Sequence, residues 1–289
     1  MDSRLISREM RGLKTAWLEN GSANAPILLF LHGFPDNPQI WNFQAEYFES
    51  RFHVIRPYTR GLFPFEGNPE FNRYSLDSLS LDCLEILREV DPSGQRPVYC
   101  VGHDLGAALA WNLAPFLGNR LSGMVIINGL SVPQMFRRFG NMRQQLKSFY
   151  IYLMQLPWLP EILIKSIPKT MLQMAYDRGE LPQELRPKTA VSAQGLSRML
   201  NQYRAFSREI PKLMRRAPEK VRAPVLVIWG CRDAFLAAPT LDELEPFAAS
   251  ITLRILDANH WVFREMPDEV NRILENFLPV SEHSYEKFA

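Results

Sequence analysis

The 289-residue chain predicts an α/β protein with a mostly parallel central sheet, helices on both faces and a helical insertion in its middle. Three observations lead there. Short runs at Lys14–Leu18, Ile27–Leu31, His53–Arg56, Val98–Val101, Met124–Ile127, Val225–Trp229 and Thr252–Leu256 read as strands. The later ones are uniformly apolar rather than alternating, as strands covered on both faces are. Helical patterns lie between several of them, and the alternation of strand and helix makes a parallel sheet. The alternation then lapses between about Pro133 and Arg216.

Each element has its own signal. Leu76, Leu79, Cys83, Leu87 and Val90 recur at steps of three and four after Ser75, a plausible helix cap. Leu105–Trp111 is a helix with small residues on one face, and Pro267–Phe277 is a helix near the end of the chain. The stretch 133–216 is rich in Met, Leu, Tyr, Arg and Pro, with "SFYIYLMQLPWLPEILIKSIP" at its centre and no convincing strand. It is expected to be a helical unit inserted into a core made of residues 1–132 and 217–289.

Composition narrows the function classes. Hydrophobic residues make up 46% and charged residues 22%, values of an ordinary globular protein. A net charge of +2 is too small to suggest a nucleic-acid partner. The opening "MDSRLISREMRGLK" has no apolar core of a signal peptide, and no run approaches the roughly 20 apolar residues of a membrane span. Cys83, Cys100 and Cys231 are scattered, without CxxC or His/Cys metal spacing. A soluble, cytoplasmic protein without structural disulfides or zinc is the expectation, its oligomeric state left open.

The chemistry gathers at strand ends. "VYCVGHDLGAALAW" puts Asp104 on the turn between a strand and a helix, the place of the serine in a G-x-S-x-G nucleophile elbow. The helix N-terminus favours a negative charge there. Asp104 could equally be a helix cap. "LLFLHGFPDNPQIW" ends a strand at His32-Gly33-Phe34-Pro35, where such hydrolases find one backbone N–H of an oxyanion hole; the residue after the nucleophile supplies the other. Phe34 and Leu105 are the candidate donors, although Gly and Pro also punctuate ordinary turns. "VLVIWGCRDAFLAAP" and "LRILDANHWVFREMP" bring Asp233 and His260 just past the carboxyl ends of two further strands. Nucleophile, acid, histidine is the chain order of α/β-hydrolases.

HGFP, GHDLG, GCRD and NHW, in that order, resemble the α/β-hydrolase superfamily across nearly the whole chain. An aspartate nucleophile is similar to its epoxide hydrolase and dehalogenase branches. "SFYIYLMQLPWLPE" and "SRMLNQYRAF" resemble the two lid segments of epoxide hydrolases and place Tyr150 and Tyr203 where that family keeps its ring-opening tyrosines. Against this stands the plain possibility that tyrosines in an apolar segment only pack. The resemblance departs at Tyr58, where relatives commonly have aspartate, and at Leu105, where many have tryptophan.

The resemblance implies an α/β-hydrolase fold with an inserted helical lid, and an ether-bond hydrolase that converts an apolar epoxide to a vicinal diol without metal or organic cofactor. Asp104 would form a covalent alkyl ester, and Tyr150 and Tyr203 would hydrogen-bond the epoxide oxygen. His260, oriented by Asp233, would activate water. Phe34, Leu105, Phe149, Leu153, Met154 and Trp261 are expected to line the substrate site, with Tyr152, Leu156 and Trp158 adding apolar character nearby. A dehalogenase would use the same three acidic and basic groups but needs N–H donors for its halide, which the side chains of Leu105 and Phe34 do not offer. A fold retained for ligand binding or protein interaction has no need of all three.

Overall fold

The computed structural model describes residues 3–60, 62, 74–138, 145, 151, 154–156, 158–160, 162, 176–186, 193–215 and 220–278. Eight strands form one sheet: β1 (Arg4–Met10), β2 (Leu13–Asn20), β3 (Ile27–Leu31), β4 (His53–Pro57), β5 (Val98–His103), β6 (Leu121–Ile127), β7 (Val225–Gly230) and β8 (Ile251–Leu256). The described helices are α1 (Asn42–Phe48), α2 (Leu76–Val90), α3 (Leu105–Leu117), α4 (Val132–Arg138), α5 (Ala193–Arg215), α6 (Leu241–Leu244), α7 (Val262–Glu265) and α8 (Pro267–Phe277). The strand order is β1-β2-β4-β3-β5-β6-β7-β8. The pairs β1–β2 and β2–β4 are antiparallel; every pair from β4 to β8 is parallel. This is the α/β-hydrolase fold.

Both faces of the sheet are covered, which explains the unbroken apolar runs. Successive residues of a strand point to opposite faces. Leu29, Cys100, Ile126 and Val227 join a core with α2 and α3, while Leu28, Val101, Val125 and Ile228 join a second core with α1, α7 and α8. Ser75 caps α2 as expected, its Oγ accepting from the Ser78 amide at 3.1 Å.

The sequence reading passed over β1. Its residues, RLISREM, are half-buried to exposed and pair with β2 from Arg4↔Glu19 to Met10↔Leu13. A strand at the sheet edge is held by backbone pairing and carries charge on its free side, so it has no apolar run to announce it. One such charge, Arg4, pairs with Glu19.

Between β6 and β7 the described residues contain helices and no strand. α5 is tied to the core at three points. Gln202 Nε2 donates to the Arg60 carbonyl (3.5 Å), Glu209 accepts from the Leu76 amide (2.9 Å), and Lys212 Nζ lies 2.7 Å from Asp77. The segment 176–186 returns over the loop after β8. There Asn259 Nδ2 donates to the Glu180 carbonyl (3.0 Å) and Arg264 Nε to that of Leu185 (2.8 Å). No helix among the described residues is long and apolar enough to cross a membrane.

The start of α3 fits against the sheet only because its residues are small. A Cβ on Gly106 would stand 2.2 Å from the Leu31 carbonyl oxygen, and one on Gly102 would stand 2.4 Å from that of Gly106. Both obstacles are backbone and cannot swing aside. Gly106→Ala is therefore expected to cost about 1–3 kcal/mol, the range for overpacking a tight interior. Urea unfolding measures it, and an unchanged midpoint would show that α3 can slide away from β3.

Candidate active site

Three polar side chains meet at the carboxyl edge of the parallel strands, where folds of this kind bind ligands. Asp104 follows β5, Asp233 follows β7 and His260 follows β8. Asp104 holds a backbone conformation that L-residues rarely adopt, φ 51° and ψ −119°, and its side chain makes no capping bond to α3. Instead Asp104 Oδ2 accepts from the Phe34 amide at 3.0 Å, and Oδ1 lies 4.0 Å from His260 Nε2. The helix-cap alternative is thereby excluded. Gly33 makes room for the carboxylate, since a Cβ there would stand 2.5 Å from that of Asp104.

His260 is oriented from behind. Its Nδ1 lies 2.7 Å from Asp233 Oδ2. Asp233 is saturated: Oδ1 accepts from the amides of Phe235 (2.6 Å) and Leu236 (2.9 Å), and Oδ2 also accepts from Asn128 Nδ2 (2.7 Å). A carboxylate so placed keeps the proton on Nδ1 and leaves Nε2 facing Asp104. Side-chain exposure is 0% for Asp233 and 3% for His260 but 12% for Asp104, so the group nearest the open side is the aspartate on the elbow.

The electrostatics follow from burial and from one another. Burial pushes the Asp104 carboxyl above its ordinary range, against the pull of His260 and of the Phe34 and Leu105 amides. Burial acts on Asp233 in the same sense, but His260 and the hydrogen bonds outweigh it and hold that carboxyl below its ordinary range. Burial disfavours the imidazolium of His260, yet Asp233, Asp104 and Asp36 together raise it above the usual histidine value.

A carboxylate on an elbow beside an acid-paired histidine occurs within a fold already recognised, and comparison with known proteins agrees. Residues 28–273 match the model of the alpha/beta hydrolase family. The chain belongs to the α/β-hydrolase family. Within it, the similarity runs to the epoxide hydrolase branch. The chain is 29% identical to mouse epoxide hydrolase 3 over 92% of its own length and 74% of that protein's. A solved structure described as one of the novel epoxide hydrolases from metagenomes of hot environments superposes with a TM-score of 0.80 at 27% identity, covering 97% of this chain and all of that one. The epoxide hydrolase of Bacillus megaterium, solved with an inhibitor, superposes with a TM-score of 0.76 at 25% identity over 94% of this chain and 99% of that one.

Around this α/β-hydrolase site the structure places the remaining expected residues unevenly. Tyr203, on α5, is buried and sets its ring edge-on to Phe34, centroids 5.3 Å apart. Gln155 Nε2 donates to the Tyr203 carbonyl (3.3 Å), and the neighbouring Met154 is buried. Leu105 is half-buried beside Asp104. Tyr150, Phe149, Tyr152 and Leu153 lie outside the described residues. Two expectations need correction. Trp261 is 1% exposed and packs edge-on to His260 (5.0 Å), with its indole N–H on Asp36 (2.9 Å); it is an internal support and not a substrate-facing wall. Leu156 and Trp158 face solvent, because the chain turns outward after Gln155.

Backbone and histidine hydrogen bonds hold the chain at Tyr58 and Thr59. The Tyr58 amide donates to the Ala16 carbonyl (2.9 Å), and His32 Nε2 accepts from the Thr59 amide (3.3 Å) while Nδ1 donates to the Gly33 carbonyl (2.9 Å). Burial lowers His32 to about 4, so it stays neutral and can bond in both directions.

Sequence reasoning missed Asn128, Asp36, Tyr176 and His103. Asn128 sits at the end of β6 with φ 40°; its Oδ1 accepts from the Gly230 amide (2.8 Å) while its Nδ2 holds Asp233. Its signal was available, a polar residue before glycine at the same sheet edge. Asp36 is wholly buried beneath His260, accepting from Trp261 and from the Tyr176 hydroxyl (3.1 Å). His103 Nε2 donates to the His260 carbonyl (3.1 Å) and turns its bare Nδ1 toward Asp36 Oδ2, 3.8 Å away. Nothing in the sequence told Asp36 apart from an ordinary turn residue.

Burial pushes the Asp36 carboxyl up to about 7 from 3.8, despite its two donors. Between those values the native protein holds a proton that the unfolded chain has lost. Stability is full below the lower value and falls as pH rises toward 7, by at most about 1.4 kcal/mol per pH unit. Asp36→Asn removes that slope. Urea titrations of both proteins from pH 5 to pH 8 are expected to show the difference moving in favour of the variant. A difference constant with pH would mean that Asp36 is ionised throughout.

Proposed function

We propose that this α/β-hydrolase is an epoxide hydrolase acting through a covalent ester on Asp104, with the helical segment between β6 and β7 as its lid. One observation carries the reading: Asp104 offers one oxygen to an amide donor and leaves the other facing both the open side and His260 Nε2. The names of the relatives, epoxide hydrolases at 25–29% identity, support it. A dehalogenase is disfavoured because Leu105 and Phe34 carry no side-chain N–H for a halide.

The proposed steps are these. Asp104 Oδ1 attacks an epoxide carbon, the strained C–O bond breaks, and the oxygen takes a proton from the phenol of Tyr203 or Tyr150. Oδ2 remains on the Phe34 amide as the ester carbonyl oxygen. Esterification removes the charge of Asp104, one of the influences that raise His260, and so favours the neutral imidazole that a base must be. His260 then takes a proton from water, and the hydroxide adds to the ester carbonyl. Negative charge gathers on Oδ2, where the Phe34 and Leu105 amides meet it. Collapse breaks the bond from the ester carbon to the former Oδ1, which leaves as a hydroxyl of the diol with the proton that His260 had taken. The other proton of the water, left on the new oxygen of Asp104, returns to the phenolate, so that Asp104 is again a carboxylate and His260 neutral.

The substrate is proposed to be apolar. Phe34 and Tyr203 lie ring to ring, and Phe235 sets its ring 5.0 Å from His260. Each methylene buried against such walls is worth roughly 0.8 kcal/mol, so turnover should favour aryl or longer alkyl epoxides over small or anionic ones.

Asp104→Asn is expected to fold and to lose at least about a hundredfold in turnover, the scale of one positioned catalytic group. His260→Gln should form the ester and stall; mass spectrometry of the intact variant after exposure to styrene oxide should show an adduct on Asp104. Unmodified protein that still binds the epoxide would end this division of roles. Excess wild-type enzyme in ¹⁸O-water should release an unlabelled diol in the first turnover and retain the label on Asp104; label in the diol instead would mean direct attack by water. Tyr203→Phe keeps the ring and removes the proton, so it should slow ring opening by roughly tenfold or more. An unchanged rate would leave Tyr203 a packing residue.

A further inference from the structure

We infer that the inserted helical segment is also a docking surface for an anionic lipid bilayer, which it meets through an exposed apolar knuckle beside a basic helix. The knuckle lies at residues 156–162. Trp158 is 76% exposed, Ile162 58%, Leu156 44% and Leu159 42%. The Ile162 amide donates to the Trp158 carbonyl at 2.8 Å, which holds the two residues close together. Isolated exposed apolar residues mean little, but four within seven positions, one of them tryptophan, make a patch. Tryptophan is the residue that settles at the boundary between lipid tails and headgroups.

Charge identifies what covers the patch. Residues 133–216 hold fifteen Lys and Arg against five Asp and Glu, a net +10; the rest of the chain holds eighteen against twenty-six, a net −8. The modest overall +2 hides this division. The segment is tied to the knuckle by Arg204, whose Nη2 donates to the Leu156 carbonyl at 2.9 Å. Beyond Arg204, Arg208 and Arg215 follow along α5, while Lys212 between them is turned to Asp77 of α2. Arg208, Lys212 and Arg215 are exposed. Of the five acids of the segment, Glu209 is turned to the Leu76 amide, Asp177 pairs with Arg186 and Glu180 with Arg232 of the core, while Glu161 lies in sequence between Leu159 and Ile162; of its bases, Arg138 and Lys212 pair with Glu243 and Asp77 of the core. A chain whose segment 133–216 is basic and whose remainder is acidic is drawn to a negative surface through that segment. A neutral apolar partner would have no use for the charge, and a second copy would oppose two basic faces. An anionic bilayer suits both features.

The full chain is tested by co-sedimentation with vesicles of phosphatidylcholine alone or with phosphatidylserine at three parts in ten, in 0.1 M and 0.5 M NaCl. Binding is expected to the anionic vesicles only and to fall steeply at the higher salt, where screening is stronger. Arg208→Glu and Arg215→Glu should each weaken partitioning roughly fivefold or more, the worth of one basic residue at such a surface. Trp158→Glu with Ile162→Glu should abolish it while the far-UV spectrum and melting temperature hold. Tryptophan emission should shift to the blue on binding, and Trp158→Phe should bind yet lose the shift. Absence of binding at 0.1 M NaCl, equal binding to neutral vesicles, or an emission shift that survives Trp158→Phe would overturn the inference. So would a concentration-dependent dimer in sedimentation velocity that the Trp158→Glu, Ile162→Glu variant disrupts. None of these readouts depends on the reaction proposed above.

Discussion

The backbone of Asp104 is the constraint on which the site depends. A residue at φ 51° and ψ −119° does not hold that conformation unaided, and L-residues there cost of order 1–3 kcal/mol. Here it is locked by close contacts on every side. Gly33 lies against the Asp104 side chain, Gly106 against the end of β3, and Gly129 against the Asp104 backbone, each at a distance that no side chain would permit. The strain turns the carboxylate out of the sheet and away from its own helix. Without it, Asp104 would cap α3 and would not face His260.

Around that elbow the site is built in two layers. The outer layer is Asp104, the Phe34 and Leu105 amides and His260 Nε2. The inner layer, Asp233, Asn128, Asp36, His103 and Trp261, is almost entirely buried and fixes His260 from three directions. Tyr176 and Asn259 tie this inner layer to the returning segment 176–186, so a movement of the insertion there acts on the support of the histidine and not only on access to Asp104. The Asp36 carboxyl is the costly member. It accepts two good hydrogen bonds and still sits near 7, because burial outweighs them.

The charge of the chain is unevenly divided along its sequence. Residues 133–216 carry an excess of base and the rest an excess of acid, and Leu156, Trp158, Leu159 and Ile162 in the basic part are exposed.

By itself the sequence determined the parallel sheet and the places of Asp104, Asp233 and His260 just past strand ends, because these depend on local facts: apolar strands covered on both faces, and polar residues placed just after them. It could not reveal β1, whose charged residues are held by pairing with β2 and not by burial. Nor could it tell whether Asp104 was a cap, since composition at a helix start is the same for both and only the packing of three glycines decides. Trp261 looked like a pocket wall and proved to be the donor to Asp36, because a tryptophan next to a site histidine reads alike whichever way its ring turns. Asp36 itself was one acid among 31 until the tertiary structure closed Trp261, Tyr176 and His103 around it. Local patterns place residues along an edge. Which of them lose their water, and which way they then point, is settled only when distant segments pack together.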